Sequence, residues 1–151
     1  MRRTAFCLVF SFLLAVAMAA HGPTFVGVEK CKPCHRPEFE TWSQSAHAEA
    51  TKTAKGAPGF TASCLSCHAT TPDGALEGVQ CEACHGPGSQ YWPIPVMMHR
   101  EKAMAAGLVL PAPGMCNRCH DGQDHHKAVE WGAFKHDHRE KKQAVELQKI
   151  R

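Results

Sequence analysis

The chain has 151 residues and a formal net charge of +3, from 17 lysine and arginine residues against 14 aspartate and glutamate residues. This small positive excess excludes the strongly basic surface with which many proteins bind nucleic acid. The unusual feature of the composition is its nine cysteines and eleven histidines, which point to covalent or metal chemistry of these side chains.

The N-terminal segment predicts a secretory signal peptide at residues 1–19. Arg2 and Arg3 form a basic end, residues 6–16 are mostly apolar, and Ala17-Met18-Ala19 has the small residues of a cleavage site. The apolar run is shorter than the roughly 20 residues that span a bilayer, so we expect no membrane span in the mature protein. We therefore expect a periplasmic or extracellular protein consisting of residues 20–151.

Cys7 lies in the signal segment, and the other eight cysteines all belong to one repeated motif, Cys-X-X-Cys-His. This motif is the attachment signature of c-type haem, because its two thiols form thioethers to one porphyrin and its histidine binds the iron. Four repeats predict four covalently bound haem c groups. The haem-attaching cysteines are Cys31, Cys34, Cys64, Cys67, Cys81, Cys84, Cys116 and Cys119, and the iron-binding histidines are His35, His68, His85 and His120.

Other uses of paired cysteines explain the motif less well. Four thiolates build a zinc ribbon, and eight cysteines suit a disulfide framework in an exported chain. Neither use requires a histidine directly after every second cysteine. Thioredoxin-like redox chemistry needs one such cysteine pair near a βαβ pattern, not four along a chain without strands.

Chain length per haem determines the expected architecture. Removing the first 19 of the 151 residues leaves 132, which is 33 residues for each of four haems. Because so short a chain cannot enclose four porphyrins in an ordinary apolar core, the porphyrins themselves must form the core. We expect one domain that is mainly α with extensive loops and has little or no β-sheet. The second and third motifs begin at Cys64 and Cys81, the shortest separation, so we expect their haems to pack closely.

The sequence predicts three helices between and after the motifs. The first begins at Pro37, which suits a first helical turn, and carries an apolar stripe. The second covers about 96–106 and is ended by Gly107. The third follows Asp124. The apolar residues that define the first and third helices are Phe39, Trp42, Ala46 and Ala50, and Trp131 and Phe134.

Three stretches of this sequence resemble the cytochrome c-554 family. They are Val79 to Ser89 around the third motif, Trp42 to Ala48 upstream, and Arg100 to Leu108. The founding member of that family is the tetrahaem electron acceptor of hydroxylamine oxidoreductase in ammonia-oxidising bacteria. The resemblance implies a small tetrahaem cytochrome, but the founding member's partner is not carried over to this chain.

Seven histidines lie outside the motifs, and neutral imidazole is a good ligand for the sixth position of a haem iron. The resemblance selects His47, His99 and His136 as these ligands. It also implies that the haem at His68 is five-coordinate. The residues alone leave alternatives open, since His138 competes with His136, and His21 or His125 could serve the remaining iron.

Three functions fit this pattern. The first is an electron carrier between a redox donor protein and a redox acceptor protein, because closely packed haems with mainly His/His ligation transfer single electrons. The second is a reductase that acts on a small nitrogen oxide at a five-coordinate haem. The third is a self-associating subunit of a conductive cytochrome filament. No acid/base cluster near the second motif favours the reductase, so no catalytic residue is assigned.

Overall fold

The computed structural model describes residues 22–136, so the signal segment, His21 and His138 lie outside the described residues. The described chain is made of short helices joined by turns and loops, which confirms the mainly α fold class. It contains no strand, only isolated bridges from Ala69 to Glu77 and Gly78. The α-helices are α1 (Arg36–Ser43), α2 (Ala50–Lys55), α3 (Leu65–His68), α4 (Cys81–His85), α5 (Ile94–Met97) and α6 (Arg100–Ala105).

Four 3-10 turns complete the regular structure of residues 22–136, and none of the elements in this range is longer than eight residues. They are Val28–Lys30, Ala62–Cys64, Gly88–Gln90 and Met115–Arg118. Between residues 22 and 136, no helix has both the length and the apolar character needed to cross a bilayer.

The helix predicted from Pro37 is interrupted. Helix α1 has Pro37 in its first turn and ends at Ser43, and helical structure resumes only in α2. The hydroxyl of Ser43 donates to Glu40 O at 2.9 Å, and that of Ser45 donates to Trp42 O at 2.6 Å. Serine hydroxyls compete for backbone carbonyls in this way and favour helix ends. The interruption places His47 on a turn between two helices.

The other two helix predictions are partly wrong. The region 96–106 forms α5 and α6 with His99 between them, whose backbone is extended at φ −122° and ψ 104°. Gly107 ends α6 at φ +100°, as predicted. The helix expected after Asp124 is absent from the described residues, because Asp124 and Gly132 both adopt positive φ and the chain forms turns.

The protein core is very small. The largest buried apolar side chain is Tyr91, whose hydroxyl donates to Gly86 O. Large apolar residues such as Ile94, Met98 and Trp131 are more than half exposed. So small a core fits a fold in which the cofactors supply most of the apolar surface. The other buried apolar residues are Val28, Ala54, Leu65, Ala69 and Ala103.

Hydrogen bonds close the segment between the second and third motifs into a loop. The hydroxyl of Thr70 donates to Gly78 O at 2.7 Å and accepts a hydrogen bond from the backbone N–H of Gln80 at 2.8 Å. The buried hydroxyl of Thr51 donates to His68 O and accepts from the N–H of Gly78. These bonds bring the end of the second motif near the start of the third. The predicted packing of their two haems stays a prediction.

Candidate haem sites

Short helical turns present the thiol pairs. The third motif is α4, the second begins just before α3, and the fourth overlaps the 3-10 turn Met115–Arg118. Residues three apart lie on the same side of a helical turn, so both thiols of each motif can reach one porphyrin. No disulfide joins any of the eight motif cysteines, so each is available for haem attachment. Within residues 22–136, no group of three or more Cys, His, Asp and Glu side chains could hold a metal ion, as a zinc ribbon would.

The four motifs lie next to one another in an order that differs from their order along the chain. The thiols of Cys31 and Cys81 lie close together, and this contact and burial raise the pKa of Cys31. The thiols of Cys67 and Cys119 likewise lie close together and join the second motif to the fourth, and burial together with this contact raises the pKa of Cys119 to about 11. The guanidinium of Arg118 donates to Ala83 O at 2.6 Å and joins the fourth motif to the third. Contacts therefore join the first motif to the third, the third to the fourth, and the fourth to the second.

A buried carboxylate fixes the first and third motifs to each other. Glu82, in the third motif, is 2% exposed and accepts hydrogen bonds from the backbone N–H groups of Val26, Gly27 and Gly88 at 2.6–3.1 Å. Val26 and Gly27 lead directly into the first motif. No sequence pattern singles out Glu82, because the two X positions of the motif accept many residue types.

Two motif histidines are oriented by backbone carbonyls. The Nδ1 atom of His85 is 2.9 Å from Val109 O, and that of His120 is 3.0 Å from Lys127 O. A carbonyl can only accept, so Nδ1 carries the proton in both rings. The other nitrogen, Nε2, then has a free lone pair, which is the arrangement found in metal-binding histidines.

Among the described residues, three ring pairs each join one motif histidine to one histidine from outside the motifs. The ring centroids of His120 and His47 are 6.1 Å apart, and those of His85 and His136 are 6.3 Å apart. The rings of His68 and His125 have centroids 6.2 Å apart and are tilted by only 18°. Two of the three outside histidines, His47 and His136, are those that the sequence resemblance selects.

The environment of His47 favours its neutral form. Burial and the nearby ring of His120 lower the pKa of His47. The ring of Phe134 packs edge-on against both His47 and His136, with centroids 5.2 and 5.1 Å away. Phe134 thus holds the rings from two different pairs in place. Neutral imidazole is the form that binds iron.

The other predicted ligands are less defined. His99 is exposed and precedes α6, and it lies outside the three ring pairs, so its role as a ligand stays a prediction. The pairing of His136 with His85 favours His136 over His138.

The two adjacent histidines after the fourth motif have different surroundings. His126 lies in a surface turn, where its Nδ1 atom is 3.2 Å from the carboxylate of Asp121. The pairing of His125 with His68 speaks against the open second haem that the resemblance implies.

Comparison with known proteins agrees with these features. Residues 30–86, which contain the first three motifs, match the family model described as cytochrome c554 and c-prime. The predicted resemblance to the cytochrome c-554 family is confirmed. Cytochrome c-554 of Nitrosomonas europaea is 29% identical over 110 residues, with coverage of 55% of this chain and 46% of that protein. This chain thus aligns with less than half the length of that relative.

The fold agrees as well. A solved structure of reduced cytochrome c554 from Nitrosomonas europaea superimposes with a TM-score of 0.54 at 23% identity, covering 77% of this chain and 73% of the other. The similarity indicates a c-type cytochrome, which implies covalently bound haem c.

The residues present fit haem. A histidine nitrogen binds a metal at about 2 Å and lies about 1 Å from its ring centre, so two imidazoles on opposite sides of one metal have centroids about 6 Å apart. All three pairs have this separation. By contrast, the rings of His125 and His126, which pack directly on each other, are 4.4 Å apart.

Proposed function

We propose that this chain is an exported tetrahaem c-type cytochrome that carries single electrons between redox proteins. The thiols and histidine of each motif would attach one haem. When bound, haem supplies an iron that gains or loses one electron without making or breaking bonds to a substrate. The chain's own residues would attach the four haems, set their spacing and supply histidine ligands to their irons.

The observation that supports this function best is the continuity of the motifs. Contacts join the first motif to the third, the third to the fourth, and the fourth to the second. Haems attached at such neighbouring sites would form one unbroken series. An electron that enters at the first or second haem could then cross the protein without leaving it.

The ring pairs supply further support. We assign His47 as the second ligand of the fourth iron and His136 as that of the third iron, from their pairing with His120 and His85. We assign His99 to the first iron from the sequence resemblance. An iron held by two histidines keeps its ligands in both oxidation states, which suits electron transfer better than substrate binding.

Export is proposed from the sequence. Residues 1–19 have the composition of a signal peptide, and c-type haem attachment takes place outside the cytoplasm. Redox partner proteins are expected to dock on the surface of residues 20–151. Partners of the relative from Nitrosomonas europaea are not transferred, because this chain covers 46% of that protein.

Stopped-flow oxidation of the fully reduced protein tests the function. We expect four electron equivalents per chain to leave rapidly, with no steady-state turnover of nitric oxide, hydroxylamine or nitrite. A double variant, Cys116→Ala with Cys119→Ala, would remove the fourth haem and should slow electron exchange between the second haem and the other two. The matched variant Cys31→Ala with Cys34→Ala removes an end haem and should leave transfer among the remaining three intact. Rapid turnover of a substrate by the wild-type protein would contradict the carrier function.

A further inference from the structure

We propose that His125 is the sixth ligand of the iron attached through Cys64, Cys67 and His68, so that the second haem is closed. The inference deepens the proposed function and rests on it, because it requires that the second motif carries haem. It departs from the sequence resemblance, which implies a five-coordinate iron at this position.

The ring geometry is the first support. The centroids of His68 and His125 are 6.2 Å apart, between the 6.1 and 6.3 Å of the two other pairs. This distance is the separation of about 6 Å that two imidazoles take on opposite sides of one metal. The rings of His125 and His126 are 4.4 Å apart, a direct ring contact that is much shorter than the 6.2 Å between His125 and His68.

A closed turn holds His125 in this position. The N–H of Gly122 donates to His126 O and the N–H of His126 donates to Gln123 O, both at 2.8 Å. The carboxylate of Asp121 lies within hydrogen-bond distance of both the N–H of Gln123 and His126 Nδ1. Asp124, directly before His125, has φ +47°, a left-handed conformation that is uncommon outside glycine. The turn therefore directs two adjacent histidines differently, one to Asp121 and one to His68.

The packing of the motifs places this turn beside the second haem. The turn follows the fourth motif immediately, and it is closed by the bond between His120 Nδ1 and Lys127 O. The fourth motif contacts the second through Arg118 O, which is 3.9 Å from Cys67 Sγ, and through the nearby thiols of Cys119 and Cys67. These contacts do not involve His125. They bring residues 120–127 to the second motif independently of the ring pair.

A closed second haem has a chemical consequence. An iron with two histidine ligands must lose one before it can bind a small molecule such as nitric oxide. The second haem would then act as the terminal electron-transfer site of the series and not as a site of substrate reduction. Whether His125 binds this iron therefore decides whether the second haem only transfers electrons or can also bind and reduce a substrate.

The test compares His125→Ala with His126→Ala in the haem-loaded, full-length protein. For His125→Ala we expect one haem to change from low spin to high spin by electron paramagnetic resonance, with four haems still attached. We also expect one equivalent of carbon monoxide to bind the reduced variant, and added imidazole to restore the low-spin signal. His126→Ala removes the neighbouring ring and should leave all irons low spin.

Two further measurements keep the inference open to refutation if His125→Ala matures poorly. The wild-type protein should show no high-spin signal from the second haem, and His125→Met should give a low-spin His/Met haem of higher potential. To locate the change, His125→Ala is combined with Cys64→Ala and Cys67→Ala, which remove the second haem. In that background His125→Ala should change no spin state.

Unchanged spin states in His125→Ala, or carbon monoxide binding at one equivalent to the second haem of the wild-type protein, would overturn the inference. Either result would leave a four-haem electron carrier intact. A protein with fewer than four haems would instead contradict the proposed function itself, so the two failures can be told apart.

Discussion

The imidazole rings of His47 and His120 lie with their centroids 6.1 Å apart, although His47 precedes the second motif and His120 ends the fourth. The fold thus brings a turn near the N-terminus to the last attachment site. His47 itself is held by the third motif's approach loop, since the N–H of Val79 donates to His47 O at 2.8 Å. One residue therefore connects parts of the chain that are far apart in sequence.

Replacing His47 with alanine should convert one low-spin haem, the fourth, to high spin. Attachment needs only the cysteine pair and the motif histidine, so four haems should remain bound. Electron paramagnetic resonance measures the spin state, and the absorbance of the pyridine complex counts the haems. An unchanged low-spin spectrum would make His47 a packing residue for Phe134 only.

A parallel comparison distinguishes His136 from His138. His136 faces His85, so His136→Ala should open the third iron and allow it to bind carbon monoxide. His138→Ala provides the matched control two residues away and should bind none. The assignment of the third iron is refuted if the two variants give the opposite results.

Gly78 is expected to be intolerant of any side chain. Its φ is +73°, and a Cβ there would lie 2.7 Å from Ala48 O, a backbone atom of the turn that carries His47. The strain of an alanine in this left-handed backbone conformation and the displacement of Ala48 O by its Cβ should together lower the free energy of unfolding of Gly78→Ala by about 2–4 kcal/mol.

Gly59→Ala is the matched control for Gly78→Ala. Gly59 has φ +82°, but no atom lies within 4 Å of the point that a Cβ would occupy, so the variant bears only the backbone strain of about 1 kcal/mol. Denaturant unfolding of the haem-loaded variants measures the difference. Equal losses at the two positions would show that the contact with Ala48 is unimportant.

Glu82 should contribute strongly to stability. Glu82→Gln replaces one acceptor oxygen with an amide donor that faces backbone N–H groups, and breaking these charge-assisted bonds should cost about 2–4 kcal/mol. The control is Glu77→Gln, since Glu77 is exposed and paired with Lys55 at the surface, where ion pairs contribute little. Thermal unfolding followed by haem absorbance compares the two variants. A small effect at Glu82 would mean that the N-terminal segment does not depend on this carboxylate.

The parts of the site that depend on local sequence were predictable. Cys81 to His85 form one helical turn whose chemistry follows from the spacing of three side chains. The spatial order of the motifs was not predictable, because it depends on contacts between distant residues such as Arg118 with Ala83. The role of Glu82 was not predictable for the same reason, since its hydrogen-bond partners Val26 and Gly27 lie far away in the sequence.

The histidine ligands were likewise predictable from the sequence only in part. The resemblance selects His47 and His136, each of which the structure pairs with a motif histidine, but it implies an open iron where the structure has His125 facing His68. The sequence around His125 and His126 indicates a polar turn, and these residues do form a turn in the structure. Which of two adjacent histidines faces His68 depends on the left-handed conformation of Asp124 and on the backbone hydrogen bonds of the turn, and no periodic pattern encodes either.

The intact mass of the exported, mature protein is the decisive measurement for the four-haem assignment. We expect the mass of residues 20–151 plus four haem groups, retained through acid extraction because the thioether bonds are covalent, and no thiol that reacts with an alkylating reagent. Fewer than four haems in protein matured with functional attachment machinery, or zinc bound to the cysteines, would contradict the assignment.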